Sequence, residues 1–65
     1  MELKEAIELL TKAYSRADWY IRAQPGLEGH MPVIHLFHTK DMPGRIKTKR
    51  KTVDDFKVIF IEASP

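Results

Sequence analysis

Phe56-Lys57-Val58-Ile59-Phe60-Ile61-Glu62 is the stretch on which the fold turns. β-Branched and aromatic side chains fill it, so it reads as a strand. Alternation along a strand sends Phe56, Val58 and Phe60 to one face and Ile59 and Ile61 to the other. Both faces are therefore apolar. Residues 32–39, Pro-Val-Ile-His-Leu-Phe-His-Thr, repeat the pattern, with Val33 and Phe37 on one side and Ile34 and Leu36 on the other.

A cover for one of these faces stands at the start of the chain. Leu3, Ala6, Ile7, Leu10, Ala13, Tyr14 and Ala17 follow the i, i+3, i+4, i+7 spacing of an amphipathic helix over residues 2–17. Glu2, Glu5 and Glu8 crowd its first turns and Lys12 and Arg16 follow, in the sense that suits the helix dipole. Leu9 stands off the stripe. Trp19, Ile21 and Ala23 then alternate with Tyr20, Arg22 and Gln24 as a half-buried strand, which Pro25-Gly26 is expected to end. Met42-Pro43-Gly44-Arg45 suits a type II turn, with proline at the second position and glycine at the third.

The expected architecture is an α+β domain spanning residues 1–65. One N-terminal helix packs on a three- or four-stranded antiparallel sheet, in the order αβββ or αββββ. A chain of 65 residues buries only about 60% of its unfolded surface, and with no cysteine it has no disulfide to add stability. One helix covers one sheet face. Leaving Ile34, Leu36, Ile59 and Ile61 uncovered would expose about 400 Å2, worth on the order of 10 kcal/mol if buried. These four are therefore the candidate interface, with a homodimer first and a partner protein or the loop 25–31 as the other candidate covers.

Charge gives the second clue. Residues 1–39 hold four Lys/Arg against five Asp/Glu, whereas residues 40–57 hold seven against three. The net charge of +2 is therefore concentrated in one segment, Arg45-Ile46-Lys47-Thr48-Lys49-Arg50-Lys51-Thr52. Read as a loop, it is a charge run; read as a strand in a hairpin with residues 32–39, which the preceding Pro-Gly turn favours, it puts Arg45, Lys47, Lys49 and Lys51 on one face. Arg45, Lys47, Lys49, Arg50 and Lys51 are the candidate contacts for an anionic partner, with nucleic acid first. The bland account is an edge strand that lysines keep soluble. No aromatic residue lies between Phe37 and Phe56 to support base stacking.

The remaining chemistry is sparse. His35 and His38 are three apart on a strand and face opposite ways, so no shared metal is expected. His35 reads as a core histidine. Asp54-Asp55 reads as a strand-connecting turn, and Trp19-Tyr20 as core at a helix–strand junction. Neither a catalytic constellation nor a cofactor motif is present, and no apolar run approaches the ~20 residues of a membrane span. The absence of cysteine and of a signal-like start points to the cytoplasm. The function expected is that of a small accessory binding protein, engaging nucleic acid through a basic hairpin and self-associating through a sheet face. The rival is a protein-interaction module with no nucleic-acid role.

Overall fold

A computed structural model of the chain describes residues 2–63. Helix α1 (Leu3–Tyr14) is followed by β1 (Tyr20–Glu28), β2 (Met31–His38), a short helix α2 (Gly44–Lys49), β3 (Thr52–Val53) and β4 (Phe56–Glu62). The four strands form one sheet in the order β1-β2-β4-β3. The α+β architecture, an N-terminal helix on a four-stranded sheet, is the one the sequence pattern implies. The sheet is mixed. β1–β2 and β3–β4 are antiparallel, whereas β2 and β4 lie parallel, with Ile34 beside Val58 and Leu36 beside Phe60.

That parallel pair explains the middle of the chain. Adjacent parallel strands cannot be joined by a tight turn, so residues 39–55 must travel back along the sheet before β4 begins. Pro43 keeps the extended conformation of a type II turn (φ −62°, ψ 136°), but Gly44 does not take the positive φ that such a turn needs. Gly44 instead starts α2, and Ile46 N–H closes onto Pro43 O at 3.1 Å. The expected strand over 45–52, and with it the basic hairpin against residues 32–39, is thus replaced by a helical crossover. Ile46 is its buried anchor.

β1 also runs further than expected. It passes straight through Pro25-Gly26 and turns at Gly29-His30 instead. Proline is tolerated because β1 is an edge strand, where the missing N–H can lie on the unpaired side. Gly29 takes φ +63° at the first position of a two-residue connection, which suits a type II′ hairpin. The register slips between Tyr20 and Arg22, a bulge near the top of the strand. Between β3 and β4, Asp54 (φ 48°) and Asp55 (φ 71°) are both left-handed, as a type I′ turn requires.

α1 lies on the face made by Ile34, Leu36 and Val58. With Ala6, Leu10 and Val53 these form the core, and Ile7, Tyr14, Trp19, Tyr20, Ala23, Phe56 and Phe60 pack around it. Glu2 N–H donates to Glu5 Oε1 (3.3 Å) at the start of the helix. A hydroxyl–hydroxyl bond of 3.1 Å, Thr11 Oγ1 to Tyr20 Oη, ties it to β1. The exit of α2 comes down on the same side, where Arg50 reaches Tyr14. Among the described residues, no helix is long and apolar enough to cross a membrane.

Candidate anion-binding surface

Arg45, Lys47, Lys49, Arg50 and Lys51 are all exposed. Arg45 to Lys49 lie on α2, Arg50 caps it, and Lys51 leads into β3. The two-residue alternation expected of a strand is therefore lost. On a helix Arg45 and Lys49, four apart, share one side, and Lys47 stands away from them. Ile46 fixes the segment by burying its side chain, and Arg50 N–H continues the helical pattern onto Ile46 O at 2.9 Å. Lys51 contributes its backbone, whose carbonyl accepts Val58 N–H at 2.9 Å and so fixes the main chain of this residue beside β4. Among the described residues, Arg45, Lys47, Lys49 and Lys51 have no carboxylate partner.

Among the described residues, Arg50 is the one cation of the five with a side-chain hydrogen bond or ring contact. Its Nε–H donates to Tyr14 Oη at 3.1 Å, and its guanidinium carbon lies 5.9 Å from the centre of the Tyr14 ring. Tyr14 in turn lies 5.1 Å from Trp19, with 48° between the ring planes. Tyr14, 36 positions away in sequence, thus meets the basic segment. Nothing in the sequence signals this meeting.

The four residues expected to form one interface divide between the two faces. Ile34 and Leu36 are fully buried beneath α1. Ile59 and Ile61 lie on the opposite face and are partly buried. That face also carries Arg22, Gln24, Gly26 and Glu28 from β1 and Val33, His35 and Phe37 from β2. Its own polar side chains shelter much of it. Arg22 lays its guanidinium 4.4 Å from the Phe37 ring centre. Lys57 Nζ donates to both oxygens of Glu28, at 3.1 and 3.2 Å. β1 and β4 flank β2, so this ion pair straps across the central strand. Val33 beneath it retains only 2% of its exposure.

His35 and His38 point to opposite faces, as strand alternation requires. The deeply buried histidine is His38, not His35. It is 3% exposed, and its ring lies 6.3 Å from Phe60. A carbonyl can only accept, so the 2.7 Å contact with Thr39 O places the proton on Nδ1. Nε2 then faces the interior, with no partner among the described residues. His35 packs on the open face, edge-on to Phe37 at 6.5 Å.

No protein-family model matches the chain, and neither a curated protein nor a solved structure is significantly similar to it. The reading of function therefore comes from the surface alone.

Proposed function

We propose that this chain is a small binding protein that holds a polyanion, nucleic acid first, on the surface formed by α2 and the residues leading into β3. One observation carries the reading. Five cations crowd residues 45–51, all exposed, and four of them lack a carboxylate among the described residues. Like charges so placed repel one another. A row of phosphates relieves that repulsion and releases its own condensed counterions. The reading assigns no reaction to the chain.

Affinity for oligonucleotides at two salt concentrations tests it. Engagement of about four phosphates gives a log–log salt slope near −3.6, so affinity falls roughly a hundredfold between about 50 and 200 mM salt. Absent or salt-insensitive binding removes the proposal.

The protein-interaction reading has its own supporting observation. Leu3, Lys4, Ile7, Glu8 and Pro25 line an open groove of about 350 Å3 between α1 and β1, and Leu27 is exposed further along the same strand. Self-association is the other element of that reading. It has Phe37, Ile59 and Ile61 on the open face to use. Three partly buried residues supply far less than the ~800 Å2 per partner of a standard interface, so a dimer formed through them would be weak. Light scattering across a concentration series, repeated with Ile59→Lys, tests this. A dimer that survives the substitution places the contact elsewhere.

A further inference from the structure

The basic segment contains no aromatic residue, yet the fold brings Tyr14 to it, with Trp19 against Tyr14. α2 ends against the last turn of α1, so Arg50, Tyr14 and Trp19 make a continuous run of flat groups. The guanidinium is hydrogen-bonded to the phenol oxygen at 3.1 Å, and the phenol ring stands 5.1 Å from the indole. Arg50 is exposed and both rings are partly so. Only Nε–H of Arg50 is used by Tyr14, which leaves the terminal N–H groups to meet a phosphate. Arg16, also exposed, stands two residues beyond Tyr14. Cations that track a backbone, beside rings that offer a π-face, are the two components of a single-strand binding surface.

Resting on the polyanion reading above, we infer that the ligand is single-stranded nucleic acid. Its bases stack against Tyr14 and Trp19 while Arg45, Lys47, Lys49, Arg50 and Lys51 hold the phosphates. A duplex satisfies the cations equally well, but its base faces are already stacked and it has nothing to offer the rings.

Trp19 is the sole tryptophan, so its emission reports directly on the proposed contact. The full chain is titrated with an oligothymidylate, a duplex of equal length and inorganic polyphosphate. The expected result is quenching of Trp19 by the oligothymidylate, with affinity about tenfold or more above that for duplex and polyphosphate. Tyr14→Leu should lower oligothymidylate affinity about tenfold and leave polyphosphate affinity nearly unchanged, whereas Tyr14→Phe, which keeps the ring, should bind as the parent does. Binding without quenching, or oligothymidylate no tighter than polyphosphate, overturns the inference while leaving the polyanion reading intact. Preference for duplex overturns it in favour of double-stranded DNA or RNA. Failure of all three probes to bind overturns the polyanion reading itself. Where Tyr14→Leu fails to fold, the quenching measured on the parent chain still decides.

Discussion

The imidazole of His35 rests on the bare backbone of Gly26. A β-carbon built at Gly26 would stand 2.5 Å from His35 Cε1 and 2.6 Å from Nε2. The two residues lie on neighbouring strands of the open face, and the absence of a side chain at one gives the ring of the other its seat. Gly26→Ala is therefore expected to cost about 1–3 kcal/mol through forced displacement of the ring. In a His35→Ala background the same substitution should cost almost nothing. Urea denaturation of the four proteins of this cycle measures the coupling. An equal cost in both backgrounds would show that the backbone, and not the ring, sets the requirement for glycine.

Backbone sign makes a different prediction at the two hairpins. Gly29 has φ +63° with nothing within 4 Å of an added β-carbon, so Gly29→Ala tests conformation without steric conflict. A loss of about 1 kcal/mol is expected. Asp55, at φ 71°, presents the opposite case, and Asp55→Gly should stabilise the chain by a few tenths to about 1 kcal/mol. Thermal melts of both variants check the pair of signs.

Substitutions on the two faces of β2 and β4 should differ sharply. Leu36→Ala removes buried volume from the core and is expected to cost about 2–5 kcal/mol, enough to unfold much of a population whose total stability is small. Ile59→Ala, on the open face, should cost less than about 1.5 kcal/mol. Comparable losses at the two positions would mean that the open face is covered in solution.

The Glu28–Lys57 strap separates charge from packing. Both side chains are more than half exposed, so the ion pair itself is worth under about 1 kcal/mol. Continuing the register one residue back from the Ile34–Val58 pair puts Lys57 next to Val33, where a methylene stem is able to cover an apolar neighbour. Lys57→Ala is therefore expected to destabilise more than Glu28→Gln, with little dependence on salt. Equal effects, both lost at high salt, would reduce the strap to electrostatics.

The positions of α1, β2 and β4 were legible because each depends on a local repeat: a 3.6-residue stripe in the first, alternation in the others. The basic segment was misread for a physical reason. Its cations alternate as a strand would, but Ile46 gains burial and the chain gains a return path to a parallel β4 when the segment winds into a helix. Pro25-Gly26 looked like a turn because no local signal marks β1 as an edge. At an edge the missing N–H of proline is tolerated, and the glycine is filled by His35 from the next strand.

By itself, the chain's covalent alternation determined which side chains travel together: Val33 with His35 and Phe37, Ile34 with Leu36, Ile59 with Ile61. Tertiary structure alone decided that α1 covers Ile34 and Leu36 and leaves Ile59 and Ile61 open, that β2 and β4 run parallel, and that Arg50 meets Tyr14. Both faces of β2 are comparably apolar, so local sequence holds no preference between them. The choice rests on long-range packing, which selects the arrangement that buries Leu10 and Val58 together.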